Sequence, residues 1–180
     1  PFATANNDVQ LVLDITPTVD VNETPTELNS TGFTVGSVGL GPVLNVSVLE
    51  SVFSSSVSLS VEEGTERDIS FYADAGGVTV GTMNLFMYKL NESTGEYELK
   101  EKIDNWYLVV LGGVSETISR SLDEGEWLIV LGNGQGLSAV TGYTLRFESD
   151  AVRDFNNPEA VTGTINGNVI TDQDYQNGTD

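Results

Sequence analysis

The end of the sequence carries oxygen-bearing side chains at the alternating positions that a calcium loop needs. Asp172, Asp174, Asn177 and Asp180 supply the oxygens, and Gly178 lets the backbone turn beside them. Ca²⁺ binds about six to eight such hard oxygen ligands. The glycine stands at the seventh position of this segment, whereas an EF-hand loop has it at the sixth. Taken alone, the segment is more typical of an ordinary acidic tail, and a calcium site of another kind, completed by a following domain, is the alternative.

A second group of oxygen ligands lies just upstream, in the polar segment SDAVRDFNNPEA. It consists of Asp150, Asp154, Asn156 and Glu159. A Ca²⁺ ion bound there would stiffen the junction between a folded domain and the segment that follows it. A solvated polar hinge is the alternative interpretation.

Three aromatic residues are candidates for a ligand-binding platform. Trp106 and Tyr107 are neighbours in the sequence, and Trp127 follows at a distance. Flat aromatic rings can stack on sugars, but they also fill protein cores. Trp127 is in phase with Ile129 and Leu131, which indicates a core position. We therefore assign a possible sugar or peptide contact to Trp106 and Tyr107.

Two further patterns are interpreted as turns. GNGQG at 132–136 follows a strand, but no helix opens after it, as a phosphate-binding loop would require. The carboxylates of Asp123, Glu124 and Glu126 could do acid–base chemistry. They stand around a glycine in a turn-like stretch, where such residues are expected without any catalytic role.

Composition excludes several classes of function. The 180 residues include 27 acids and 7 bases, for a formal charge of −20, so no basic surface is predicted for nucleic acid. Histidine and cysteine are absent. Without them a Ser-His-Asp triad, a thiol nucleophile, a disulfide and a His-ligated zinc site cannot form. No apolar run approaches the ~20 residues of a membrane helix. We predict no catalytic residues and no membrane insertion.

The candidate residues lie among predicted strands. Tyr143, Leu145 and Phe147 alternate with polar residues, which is the period of a strand with one wet face. MNLFMYKL and EWLIVL are apolar on both faces and predict central strands. We predict hairpins closed at 62–64, 91–95 and 123–125. No window has the apolar spacing of a helix. About ten short strands predict an all-β fold, an antiparallel β-sandwich of jelly-roll or Ig-like type without substantial helix.

One strand has an irregular pattern. In YELKEKI, Tyr97, Leu99 and Ile103 are predicted to share a face, but the charged Glu101 falls on that same face.

The domain organisation follows from the place where the predicted strand pattern ends. We assign a sandwich domain to residues 1–150, with VQLVLDI at 9–15 as its first strand. Residues 151–180 are assigned to a linker and the start of a following Ig-like repeat. A strand within 161–170 that folds back onto the sandwich is the alternative.

The segment Val61–Glu148 resembles the pre-peptidase C-terminal type of jelly-roll domain. The matching pieces are MNLFMYKL, the E-x-I segment Glu116–Ile118, LDEGEWLIV for L-x-x-G-x-[YW]-x-[IV], and the closing strand GYTLRFE. This resemblance alone would allow an accessory domain of a secreted hydrolase.

A wider resemblance covers most of the chain. The segments ATANND, FTVGSVGLGPVL, NLFMYKL with EYELKEKIDNW, and PEAVTGTINGNVITD are similar to modules of giant biofilm-associated (Bap-like) adhesins. Gram-negative bacteria export these by type 1 secretion as strings of acidic, largely cysteine-free sandwiches that Ca²⁺ rigidifies between modules. GNVITDQD is similar to the start of the next repeat, usually GNVLTND, with Gln173 and Asp174 in place of the expected pair.

The resemblance implies a location on the bacterial cell surface and an adhesive or spacer role. We expect a non-catalytic, monomeric adhesin module that either extends the polymer or presents a binding surface. Its implied cofactor is Ca²⁺, and its implied partners are neighbouring domains of the same adhesin. A surface glycan or protein is a further possible partner, through Trp106 and Tyr107. The alternatives are a carbohydrate- or peptide-binding module and the hydrolase accessory domain.

Overall fold

The structure, a computed structural model, describes residues 16–34, 42–44, 56–74, 81–109, 113–134 and 141–158. In these residues it contains β-strands and a single short 3₁₀-helix at Pro25–Leu28. The strands are β1 (Thr18–Val21), β2 (Ser30–Thr34), β3 (Val43–Leu44), β4 (Val57–Asp74), β5 (Gly81–Asn91), β6 (Glu96–Val109), β7 (Ile118–Asn133) and β8 (Thr141–Asp154). The predicted all-β fold is confirmed.

The eight strands form one hydrogen-bonded system in which all pairs are antiparallel. The order is β1-β8-β4-β7-β5-β6-β3, and β2 pairs with β8 beside β1. β4 and β7 are long enough to belong to two layers. The first part of β4 and the second part of β7 lie with β5, β6 and β3, whereas their other parts lie with β8, β1 and β2. The molecule is thus an antiparallel β-sandwich.

The two long strands pass between the layers at a shared bend, which we call the corner. Their ladder is interrupted between Val61 and Glu66, and it resumes with Glu66 opposite Asp123. Strands that change layer in this way do so at bulges or bends. Gly64 and Gly125 adopt positive φ angles of 73° and 121° at the corner, a backbone region that favours glycine.

The corner corrects two sequence predictions. The segments at 62–64 and 123–125 were each predicted to close a hairpin, and both predictions are wrong because β4 and β7 continue through them. Acidic residues beside glycine suit a bend as well as they suit a turn. The hairpin predicted at 91–95 is confirmed, as a turn with Gly95 at φ 70° joins β5 to β6.

The main core lies between the layers. It includes the predicted inward residues of β8, Tyr143, Leu145 and Phe147, which are at most 2% exposed. The second cluster lies on the opposite face of β5 and β7 and consists of Phe86, Tyr88, Leu128, Val130 and Leu44. β5 and β7 are therefore buried on both faces, as predicted for central strands.

A β-bulge explains the irregular pattern of β6. Leu99 lies opposite Tyr88, but Glu101 lies opposite Met87, so Lys100 is an extra residue in the ladder. The bulge turns Glu101 and Ile103 to the main-core side, while Leu99 packs on the second cluster. The prediction that Leu99 and Ile103 share a face is wrong for this reason.

The predicted domain boundary falls inside a strand. β8 continues to Asp154, and residues 151–154 pair with β1 and with β4. These four residues belong to the sandwich rather than to a linker. The strands predicted at 9–15 and within 161–170 lie outside the described residues.

Candidate functional site

The chain enters and leaves the described sandwich at one place. Thr18, where β1 begins, is the ladder partner of Asp154, where β8 ends. The chain beyond β8 then reaches the corner, because Phe155 N donates a hydrogen bond of 3.0 Å to Gly64 O. The corner is therefore next to both connections of the sandwich.

The side chain of Asn156 fastens the same segment to the corner. Its Nδ2 donates a 2.8 Å hydrogen bond to the backbone oxygen of Glu63. A Cβ placed on Gly64 would lie only 2.2 Å from Asn156 Oδ1. Only glycine allows Asn156 to lie this close to the backbone of β4.

Two acidic clefts flank the corner, with volumes of about 380 and 400 Å³. Their acidic residues are Asp20, Glu62 and Asp154 in the first cleft and Glu63, Glu92, Glu124 and Glu126 in the second. We call these seven carboxylates the acidic end. Lys89 also lines the second cleft, but its Nζ lies 2.7 Å from Asp123 Oδ2. The surface next to both chain connections is therefore strongly negative.

Every basic side chain of the protein is paired. All seven lie in the described part of the chain, and each has a carboxylate oxygen within 2.5–3.0 Å. The pairs are Arg67–Asp150, Lys89–Asp123, Lys100–Glu98, Lys102–Asp104, Arg120–Glu101, Arg146–Asp74 and Arg153 with Glu66 and Asp68. An anionic ligand would have to displace a carboxylate from any basic group that it approached.

The structure gives Asp150 a different role from the predicted metal ligand. Its carboxylate is 3% exposed and accepts bonds of 2.6 and 2.7 Å from Nε and Nη2 of Arg67. Asn22 Nδ2 donates a third, of 2.9 Å. Burial alone would raise the pKa of Asp150, but the bonds from Arg67 and Asn22 outweigh burial and lower it. Both carboxylate oxygens already have strong partners.

Asp154 remains at the surface, with local partners. Its oxygens accept a 3.0 Å bond from Asn157 Nδ2 and a 2.8 Å bond from Asn156 N. These hydrogen bonds lower the pKa of Asp154, and the bond from the Asn157 side chain has the largest effect. The carboxylate therefore stays ionised, and it lines the first cleft beside Glu62.

The described residues alone do not fit a calcium site. Asp150 and Asp154 are four residues apart on β8, which separates them by about 13 Å along an extended strand. Two ligands of one Ca²⁺ ion lie within roughly 5 Å of each other. Within the described ranges, no three carboxylates are grouped so that they could hold a metal ion. Of the remaining predicted ligands, Asn156 binds the backbone oxygen of Glu63 through its Nδ2. The others, Glu159, Asp172, Asp174, Asn177 and Asp180, lie outside the described residues.

Trp106 and Tyr107, the predicted ligand-binding pair, differ in how deeply they are buried. Tyr107 is fully buried in the main core, and its hydroxyl donates a hydrogen bond to the backbone oxygen of Gly113. A surface contact through Tyr107 is therefore wrong. Trp106 is half-buried and packs edge-on against Phe71, with 5.9 Å between ring centroids. β6 has a bulge at Asn105, where φ is 54°. Because of this bulge, the consecutive residues Trp106 and Tyr107 both turn towards the main core.

The sequence interpretation missed the ion pair that links the layers. Arg120 on β7 and Glu101 on β6 form two bonds, Nε to Oε2 at 2.7 Å and Nη2 to Oε1 at 2.5 Å. The Arg120 bonds lower the pKa of Glu101. The signal was present, because Glu101 was the charged residue on an otherwise apolar face. Its partner could not be read from local spacing.

Comparison with known proteins gives little more. The sequence matches no family model and none of the curated proteins. A structural neighbour is the CBM22-1–GH10 modules of Clostridium thermocellum endo-1,4-β-D-xylanase 10B in complex with xylohexaose. The TM-score is 0.37 and the identity 16%, over 81% of this chain and 30% of that one. The chain thus spans less than a third of that protein's length, and this likeness carries no argument about function.

The described residues include no helix of the length and apolarity needed to span a bilayer.

Proposed function

We propose that the chain is a non-catalytic module of a large extracellular bacterial adhesin. In this role it works through its surface and its neighbours in the same polypeptide. The observation that carries the proposal is the acidic end, where both chain connections meet a group of seven carboxylates. A neighbouring module of similar composition would bring more negative charge to this place.

The physical consequence is a junction that depends on cations. Carboxylates of two acidic modules repel each other at short range, and a divalent ion between them converts the repulsion into attraction. Ca²⁺ suits this role because it accepts carboxylate oxygens in flexible geometry. A mobile junction would then become stiff in the presence of calcium.

Asp154 is the described residue best placed to contribute to such a site. It is ionised, lines the first cleft and stands where the chain leaves β8. We propose that its carboxylate acts together with oxygens of the following segment, including Asp172, Asp174 and Asp180. Asp150 is not part of this set, because Arg67 and Asn22 already hold its oxygens.

The calcium part of the proposal is tested by thermal unfolding at constant ionic strength. Constant ionic strength is needed because salt alone screens the surplus charge and stabilises the fold. Calcium at 100 times its dissociation constant should raise Tm by about 5–10 °C, and chelation should reverse the change. The same concentration of magnesium should have a smaller effect, because Mg²⁺ needs a stricter geometry.

Two matched variants locate the ion. Asp154→Asn should lose most of the calcium-dependent rise in Tm, whereas Asp74→Asn, at the partly exposed ion pair between β4 and β8, should keep it. An equal rise in both variants would place the effect elsewhere. No rise in the unaltered protein would remove calcium from the proposal.

The adhesin part is tested on intact cells. An antibody against the module should label the source bacterium without permeabilisation, and deletion of the module should weaken surface attachment or biofilm. A chain found only inside the cell would overturn this part.

A further inference from the structure

The positions of the two chain connections determine how the module responds to tension. Thr18 and Asp154 are partners across an antiparallel ladder, so their Cα atoms are about 5 Å apart. The body is much longer than this, since β5 alone has 11 residues and extends for about 37 Å. A module that lengthens a chain in line would separate its two connections by such a distance.

We infer that this sandwich is a pendant module, which hangs from the polypeptide at its acidic end. Tension along the chain is then carried by the β1–β8 ladder and the neighbouring corner, and it does not cross the core. The biological meaning rests on the proposed function, whereas the load path itself does not. In an adhesin, the module would add little length and would present its body sideways.

The geometry also determines the order in which contacts break. Tension pulls Thr18 away from Asp154, so it opens their ladder from one end, one residue pair at a time. β8 is held on two sides, by β1 and by β4, whereas β1 is held by β8 alone among the described strands. β1 has only four residues, all exposed. β1 should therefore peel away before any part of β8.

Peeling should end at Leu28, which packs against the main core. Before that point it must break two hydrogen bonds of 2.9 Å to Asp150, one from the backbone N of Asn22 and one from its Nδ2. Release of residues 18–27 adds on the order of 30 Å of extension, because an extended residue spans about 3.3–3.6 Å. The core should open only in a later step at higher force.

Optical tweezers test this inference on the full chain, with handles attached enzymatically at both ends. We expect an early step of about 30 Å at low force, followed by the main unfolding step. A single cooperative step, or a main step that precedes any small one, would overturn the pendant load path. This measurement needs no substitution and does not depend on calcium or on adhesion.

A redox-controlled variant identifies the strand that moves. Val21 and Ala151 are ladder partners, and their expected Cα separation suits a disulfide. The protein has no other cysteine, so Val21→Cys/Ala151→Cys can form only this bridge within the chain. Oxidation should shorten the early step to about a third, because only residues 18–20 can still peel, and the bridge then shields the core.

The same double variant under reducing conditions is the matched control and should behave like the unaltered protein. An early step of unchanged length after oxidation would show that the released segment is not β1, and the inference would fail.

Discussion

At the scale of single residues, Asp150 shows two opposing effects on one carboxylate. Burial to 3% exposure disfavours its charge, while Arg67 and Asn22 stabilise that charge with three hydrogen bonds of 2.6–2.9 Å. The lowered pKa indicates that the bonds win. Arg67 also donates a 3.2 Å bond to Ser60 O, so the cluster connects the two parts of β4 across the corner.

The bonds between Arg67 and Asp150 should contribute strongly to stability. Asp150→Asn should lower the free energy of unfolding by about 3 kcal/mol, because it leaves the Arg67 guanidinium without its counter-charge. Asp74→Asn is the matched control. It breaks the Arg146–Asp74 pair, whose side chains are 41% and 34% exposed, and should cost about 1 kcal/mol. Urea unfolding measures both, and equal losses would contradict the structural role assigned to Asp150.

The sequence analysis placed Asp150 among candidate metal ligands, and it could not identify the ion pair that the structure shows. Its predicted metal partners were chosen because they stand nearby in the chain, whereas Arg67 is 83 positions away. Tyr107 was misplaced for a similar reason. Adjacent strand residues normally point to opposite faces, and the bulge at Asn105 that changes this has no distinctive sequence signal.

At the scale of elements, the corner is a contact between the bend of β4 and the segment after β8. Gly64 allows the two segments to lie close together, because its missing Cβ leaves room for the Asn156 side chain. Asn156 in turn donates to the oxygen of Glu63. The bend that moves β4 between layers is thus also the place where the departing chain is held.

The chain offers a matched pair of glycines to test this contact. Gly64 and Gly95 have almost the same φ, 73° and 70°, but a Cβ on Gly95 would meet nothing within 4 Å. Gly95→Ala should therefore cost only the backbone strain, about 1 kcal/mol. Gly64→Ala should cost roughly 1 kcal/mol more, because Asn156 must move and lose its hydrogen bond.

A double variant checks the cause of the difference. In an Asn156→Ala background, Gly64→Ala should cost no more than Gly95→Ala does, as measured by urea unfolding. An unchanged excess cost would mean that the strain at Gly64 comes from another contact.

The elements were easier to predict from the sequence than their connections. The two-faced apolar pattern of β5 and β7 correctly predicted central strands, because burial on both faces leaves a direct trace in composition. The sequence of the corner fits either a hairpin turn or a bend within a strand. Glu62–Gly64 and Asp123–Gly125 have the composition of hairpin turns, and only the resumed pairing of β4 with β7 shows that the strands continue.

At the scale of the whole molecule, five of the seven basic residues pair with a carboxylate on another strand, whereas Lys100 and Lys102 pair within β6. Arg120–Glu101 links the layers, and Arg67–Asp150 supports the corner. Among the described carboxylates that have no basic partner, seven line the two clefts beside the chain connections. Composition predicted the size of the surplus, but its location depends on the path of the chain, which the sequence did not reveal.

These two sets of carboxylates should respond to pH in opposite ways. The protein has no histidine, so no side chain of ordinary pKa titrates between pH 6 and 8, and Tm should be constant there. As the pH falls towards about 4.5, partial protonation reduces the charge of −20, and the weaker self-repulsion should raise Tm. Thermal unfolding followed by circular dichroism at fixed ionic strength measures Tm in both pH ranges.

Below about pH 4 the paired carboxylates should dominate. The pKa values of Asp150 and Glu101 are lower in the folded protein than their ordinary values, so the unfolded chain takes up protons first. Their stabilisation is complete above the ordinary carboxyl pKa and is lost as the pH falls through the folded pKa. Tm should therefore fall steeply, and Asp150→Asn should flatten this acid limb. A Tm that keeps rising below pH 4 would mean that charge repulsion outweighs the ion pairs throughout.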